Sequence, residues 1–242
     1  NLDDVPFPKR NLFTLNPFDT QMLSSRGCPF KCEFCSSSHF WGGVRYHSPE
    51  RVVDEMLHLV ENFGVKFINV FDDLFACNLK RLNVIADLLE KRMEGKEPLQ
   101  MSTLVRASVM TPEIASVLRR MGFKDFYIGF ESGSDRILKK IKGPSASVES
   151  NFRAVEILRN AGAASIGGSV VVGIPGETAA DAYATMDMIS NLRINGGEAY
   201  LASPFPGTQF WNFAVNSGYV HANMDWNLLS LGFQAGKDVP II

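Results

Sequence analysis

No apolar stretch in this chain is long enough to span a bilayer, and no signal-peptide pattern opens it. No run of Lys or Arg exceeds two residues and the formal net charge is −2, which leaves no electrostatic footprint for nucleic acid. Arg119-Arg120 and Lys139-Lys140 read as solvated helix faces. Low-complexity segments and long linkers are also absent. Histidine is scarce, and His39, His47, His58 and His221 lack partners at metal-ligand spacing, so all four read as structural. Cysteine is equally scarce: four in 242 residues are too few for a disulfide scaffold. The chain opens at Asn1 rather than at a methionine, so a trimmed or partial product with flanking domains outside it is expected.

What is present is an ordinary globular hydrophobic content, 45%, arranged as a recurring pair of apolar strand and capped amphipathic helix. The first helix is the clearest. Ser48 stands at its N-cap, Pro49 at the first helical position and Gly64 just past the end, with Val52, Val53, Met56, Val60 and Phe63 on one stripe. Residues 65–71 then read as a strand covered on both faces, as in parallel sheets. The pattern continues through a helix over 79–93, a strand over 99–105 and a helix capped by Thr111 with Gly122 after it. A strand over 126–130, helices over 135–141 and 148–160, a strand over 166–172 and a helix from Thr178 to Leu192 follow. A strand over 198–203 and a short helix over 209–216 end the series. With a strand over 20–25 this makes six β/α units, short of a closed eight-stranded barrel. The predicted fold class is α/β, a partial (β/α)6 TIM-like barrel, with a doubly wound open sheet as the alternative. In both, chemistry belongs at the C-terminal ends of the strands. The expected organisation is a linker or leader over 1–19, a core over 20–220 and a C-terminal extension over 221–242.

Three of the four cysteines fall in Gly27-Cys28-Pro29-Phe30-Lys31-Cys32-Glu33-Phe34-Cys35, directly after the first strand, while Cys77 stands alone. That asymmetry favours metal ligation in a reducing compartment, the cytoplasm. Three soft sulfur donors on one loop select an iron–sulfur cluster, zinc or copper(I). On a four-iron cluster, three cysteines leave one iron without a protein ligand, the open position that catalysis needs. A structural zinc site would instead take His39, His47 or Cys77 as fourth ligand. Cys77 otherwise reads as an ordinary buried thiol.

Polar residues cluster where strands end. Asp72-Asp73 follows the second strand, Arg106 the third, Glu131-Ser132-Gly133 the fourth, and Gly173-Ile174-Pro175-Gly176-Glu177-Thr178 the fifth. Each has a plain structural reading as a cap, a solvated charge or a sharp turn. Taken in order, however, they and the CxxxCxxC spacing with Phe34 before the last cysteine resemble the radical S-adenosylmethionine (SAM) superfamily. The resemblance implies a 4Fe-4S cluster on Cys28, Cys32 and Cys35, with SAM chelating the open iron. It also implies one-electron cleavage of SAM to methionine and a 5′-deoxyadenosyl radical, fed by a donor such as flavodoxin or ferredoxin. Under it, Asp72 or Asp73 meets the amino group of SAM, Glu131 and Ser132 lie near its ribose and methionine part, and Gly173 and Pro175 lie against its adenine. Arg106 is a candidate partner for the SAM carboxylate or for an anionic substrate.

The opening Leu2-Asp3-Asp4-Val5-Pro6-Phe7-Pro8 and the runs FDD, GFESGS and GIPGET resemble one subclass, in which a cobalamin-binding domain precedes the barrel. This implies a cobalamin-dependent methyltransferase, its cobalamin held by a domain absent from this chain. The competing enzyme is a tRNA-modifying or sulfur-inserting member, which would want further iron–sulfur ligands or a basic RNA-binding domain, and neither is visible. The non-enzymatic alternative is a zinc-stabilised binding module. The substrate, a small molecule or peptide, has no motif. Phe40, Trp41 and Phe205 are expected either to line its cavity or to be core. A further domain or partner is expected to cover the open side of the barrel.

Overall fold

The computed structural model describes residues 1–221 and 223–229. Its strands are β1 (Thr20–Met22), β2 (Ser25–Arg26), β3 (Arg45–Tyr46), β4 (Phe67–Val70), β5 (Gln100–Val105), β6 (Phe123–Glu131), β7 (Ser165–Val172) and β8 (Gly196–Leu201). Six of them form one sheet in the order β1-β4-β5-β6-β7-β8, every neighbouring pair parallel. A doubly wound sheet would reverse direction at a switch point. This order never reverses, so the sheet is a singly wound, open barrel and the partial (β/α)6 expectation holds.

The helices are α1 (Ser37–Trp41), α2 (Pro49–Phe63), α3 (Leu79–Arg92), α4 (Pro112–Met121), α5 (Asp135–Lys142), α6 (Val148–Asn160), α7 (Ala179–Leu192) and α8 (Gln209–Asn216). Caps read from the sequence do their work. The Ser48 hydroxyl accepts from Arg51 N at 3.2 Å, and Thr178 and Asp181 close a capping box on α7. Alternation along the strands separates two faces. Ile68 and Val70, then Met101 and Val105, then Phe126, Ile128 and Phe130, pack with Leu59, Leu82, Leu118 and Leu158 of the helices in one core. The opposite, concave face carries Asn69, Ser102, Tyr127, Ser169 and Glu198. Among the described residues no helix is long and apolar enough to cross a membrane.

Three features differ from the pattern expected. The first strand stops at Met22, because the side chain of Asp72 captures the backbone N–H groups of Ser24 and Ser25 (2.6 and 3.1 Å) and withdraws them from the ladder. β2 and β3 then pair antiparallel and clasp the ends of the cysteine loop. The segment 1–19, expected as a linker, is tied to the core. Leu2 is buried, Asp3 accepts from Ser48 N at 3.0 Å, Arg10 pairs with Glu55 at 2.8 Å in a buried site, and the Pro17 carbonyl accepts from Lys66 N and Phe67 N. The extension expected over 221–242 lies mostly outside the described residues.

Candidate functional site

The cysteine loop sits at the C-terminal mouth of the sheet and is held from several sides. Asp73 accepts from Gly27 N at 2.8 Å. Gly27 has φ +90°, and a Cβ there would stand 2.3 Å from the carbonyl oxygen of Gly43, so glycine lets the two ends of the loop close. Glu33 donates its N–H to the Ile141 carbonyl at the end of α5 (2.8 Å), and its own carbonyl accepts from Gln209 N at the start of α8 (3.0 Å). Phe34 packs with Ile137, Ile141, Val171, Ile174 and Phe210 in a small second core. A local backbone bond from Cys35 N to Cys32 O (3.1 Å) makes the turn between the last two cysteines.

Cys28, Cys32 and Cys35 are free, partly buried thiols. Burial pushes the Cys28 thiol up to about 11, with the neighbouring cysteines and Asp73 adding to it. Burial also raises Cys35, helped by Cys32, Asp73 and Glu131. A metal bound by thiolates displaces their protons, and it would offset the burial that raises Cys28 and Cys35. No three His, Cys, Asp or Glu side chains among the described residues are grouped to hold a single metal ion. A zinc site needs that grouping, with Zn–S near 2.3 Å. A cluster does not, because each thiolate binds a different iron. Three soft thiols on one loop are a donor set that an iron–sulfur cluster can take, one thiolate to each of three irons. Cys77 lies apart, its sulfur against the Leu74 carbonyl (3.3 Å) and the Tyr46 hydroxyl (3.4 Å).

Glu131 ends β6 at a register irregularity with φ +62°, a left-handed conformation that non-glycine residues adopt at a cost. Lys142, the last residue of α5, donates to Glu131 Oε1 at 3.0 Å and to the Gly129 carbonyl at 2.5 Å, and both charged side chains are over nine-tenths buried. Glu131 and Cys35 share a cavity of about 350 Å³ whose wall includes Phe34, Ser169, Tyr200 and Phe205. That volume lies within the ordinary range of small-ligand sites.

The other expected site residues divide. Asp73 stays exposed beside the loop. Asp72 is fully buried, and its carboxylate accepts from both the N–H and the hydroxyl of Ser24 and of Ser25 (2.6–3.1 Å), which leaves nothing for a ligand. Ser132 is fully buried and faces Thr185 of α7, with 3.3 Å between hydroxyls, so it binds a helix to the strand end rather than lining the cavity. Arg106 is 6% exposed and committed: it donates to Cys32 Sγ (3.1 Å), Ser108 Oγ (2.9 Å) and the Lys142 carbonyl (2.6 Å), and it stacks over Phe30. Its guanidinium thus ties the cysteine loop to the end of α5. Gly173 and Pro175 form a turn in which Glu177 accepts from Gly173 N at 2.7 Å, outside the cavity lining. Phe205 lines the cavity, whereas Phe40 is three-quarters exposed and Trp41 sits beneath Arg26 and Arg45. Ser36, Ser169 and Tyr200 were not marked by any motif, and only the register of β7 and β8 brings the last two to the cavity.

The family model described as the radical SAM superfamily matches residues 22–189, more than half of the chain. An uncharacterised methyltransferase of Pyrococcus horikoshii is 32% identical over 233 residues, covering 93% of this chain and 50% of that protein. Cytidylyl-2-hydroxyethylphosphonate methyltransferase of Streptomyces wedmorensis is 24% identical, covering 90% of this chain and 44% of that protein. The chain thus spans about half the length of these curated relatives. Among solved structures, the radical SAM methyltransferase TsrM from Kitasatospora setae, with cobalamin and a [4Fe-4S] cluster bound, superposes with a TM-score of 0.73 at 20% identity. That match covers 83% of this chain and 37% of the other.

Proposed function

The chain belongs to the radical SAM superfamily, whose members bind a 4Fe-4S cluster and SAM, and from that premise we propose that Cys28, Cys32 and Cys35 hold the cluster and that the cavity beside Cys35 and Glu131 takes SAM. The observation that carries this reading is the placement of three thiols on one clasped loop at the sheet mouth, the last of which, Cys35, shares a cavity with a carboxylate fixed at a strand end. When bound, the reduced cluster supplies the electron that cleaves SAM to methionine and a 5′-deoxyadenosyl radical.

The chain's own residues bind and orient. Glu131, fixed by its bulge and by Lys142, offers a carboxylate to ligand hydroxyls, a task suited to a ribose. Arg106 holds Cys32 by donating to its sulfur, and Asp73 anchors the start of the loop. Phe34 and its apolar neighbours exclude water from the inner wall. We infer methyl transfer as the overall reaction, because both curated relatives described above are named methyltransferases. Cobalamin enters this reading from the subclass resemblance of the sequence and from the structural neighbour, and no residue of this chain is assigned to it. A flavodoxin or ferredoxin is the proposed electron donor.

The test is anaerobic reconstitution followed by incubation with SAM and a chemical reductant. Methionine and 5′-deoxyadenosine are the expected products. Alanine at Cys28, Cys32 or Cys35 should abolish both cluster and products, and alanine at Cys77 should not. Full iron and sulfide content in Cys32→Ala would overturn the assignment.

A further inference from the structure

The concave face of the sheet carries a polar cluster on β6 and β8 that the cofactor chemistry leaves unused. Tyr127 of β6 donates its hydroxyl to Glu198 Oε2 of β8 at 2.9 Å, and the hydroxyl of Tyr200 donates to the same oxygen. Both bonds fall on Oε2, so Oε1 keeps its full accepting capacity. Among the described residues no salt bridge reaches Glu198, which is exposed on the open side of the barrel.

The local sequence makes this reach available. β7 lies between β6 and β8, and Gly167 is the residue opposite Tyr127 on one side and Gly196 on the other. A Cβ on Gly167 would stand 3.2 Å from Tyr127 Cδ2, so the missing side chain gives the ring its path across β7. One step on, Ser169 pairs with both Gly129 and Glu198. Ser169 and Tyr200 also line the cavity that holds Cys35 and Glu131. Tyr127 precedes Glu131 by four residues on the same strand, roughly 13 Å at ordinary strand rise. Tyr200 thus belongs to both the cavity and the cluster, which stands beside the cavity and reaches out to β8, a strand whose outer edge has no partner among the described residues.

The charge state is set by the same contacts. The Tyr200 and Tyr127 hydroxyls hold the Glu198 carboxyl below its ordinary value. Burial, then the bond to Glu198, raises the Tyr127 phenol, while that bond is the first cause of the rise at Tyr200. At neutral pH the cluster is one carboxylate anion between two neutral phenols.

We infer that Tyr127, Glu198 and Tyr200 form the substrate-recognition site, and that it takes a protonated amine carried on an apolar frame. Glu198 Oε1 accepts from the ammonium, the tyrosine rings flank the cation, and Val171, Leu201 and Phe205 face the frame. The inference rests on the cofactor reading of the adjoining cavity. An anionic substrate is disfavoured by the uncompensated carboxylate.

The test uses reconstituted protein with SAM bound and two probes of like shape and opposite charge, 2-phenylethylamine and 3-phenylpropionate, followed by calorimetry at millimolar concentration. The amine should bind and the acid should not. Glu198→Gln should weaken amine binding about ten-fold or more, the size of a lost charge-assisted hydrogen bond, while SAM binding stays as in the wild type. Tyr127→Phe, which loosens the carboxylate without removing it, should weaken the amine by less and serves as the reporter if Glu198→Gln does not fold. No amine binding to the wild type, equal binding of both probes, or an unaltered Glu198→Gln would each overturn the inference. SAM binding and cleavage on the same samples keep the two readings apart. Loss of SAM cleavage with Glu198-dependent amine binding intact would count against the cofactor reading only.

Discussion

Two adjacent carboxylates, Asp72 and Asp73, end up in opposite environments because a strand end turns successive side chains to opposite sides. Asp72 points inward and fastens the start of the cysteine loop, while Arg81 beside it donates to the Ser24 carbonyl at 3.0 Å from another buried site. Asp73 points outward to Gly27. Asp72→Ala would strand two backbone N–H groups and two hydroxyls and deprive Arg81 of its nearby anion. It is expected to cost about 3–5 kcal/mol, the range for breaking a buried charged network. Asp73→Asn, on an exposed side chain, should stay within about 0.5 kcal/mol. Urea denaturation of the two variants decides, and equal midpoints would refute the division. The residue pair was legible in the sequence, but which member is buried and which stays exposed was not.

At the scale of elements, the segment before β1 behaves as a strap on α2. Asp3 occupies the N-terminal end of that helix, where its carboxylate accepts from Ser48 N and lies 3.3 Å from His47 Nδ1. The Ser48 backbone bond, followed by side-chain bonds to Ser48 and His47, holds the Asp3 carboxyl below its ordinary 3.8. A carboxyl lowered on folding stabilises above its unfolded value and loses that contribution as pH falls through the folded one. Asp3→Asn should therefore be less stable than the wild type at neutral pH, with the gap closing below about pH 4 as Asp3 protonates. Denaturant midpoints measured across pH check this, and a gap that persists in acid would assign the effect to packing. The glycine pair of β7 belongs to this scale too. Gly167 clears the Tyr127 ring on the concave face, and Gly168 clears Phe130 on the helix face, where a Cβ would stand 2.3 Å from the ring.

At the scale of the whole molecule, the chain after β8 returns to the chain after β1. α8 brings Phe210 against Phe34, with ring centroids 6.2 Å apart, and against Ile137 and Ile141 of α5, so the cysteine loop is shaped by residues far along the sequence. Phe210→Ala removes a side chain only 2% exposed and should cost about 3–5 kcal/mol. Because the lost contact lies under the loop, iron content after reconstitution should fall while the circular dichroism of the sheet remains. Unchanged iron content would show that the loop does not depend on α8. β1 and β8 do not pair, so the sheet stays open between them below this tie. A further domain or partner over that side, expected from the unit count, remains our proposal.

What the sequence determined by itself is what short-range chemistry encodes. Helix caps at Ser48, Thr111 and Thr178, short runs of near-continuous apolar residues as strands, and three cysteines on one loop all act within a few residues of themselves. They sufficed to indicate six parallel units and the superfamily to which the family model also points. Tertiary structure alone decided what depends on register and on contacts between distant segments. It closed the Asp72 carboxylate on Ser24 and Ser25, turned Ser132 to Thr185, committed Arg106 to Cys32 and Lys142, and paired Lys142 with Glu131. It also gathered Tyr127, Glu198 and Tyr200 from two strands separated by a third. The physical reason is common to all of these. A polar side chain taken from water must find its hydrogen-bond partners wherever the packed sheet brings them, and that neighbour is set by strand order and register rather than by adjacency along the chain.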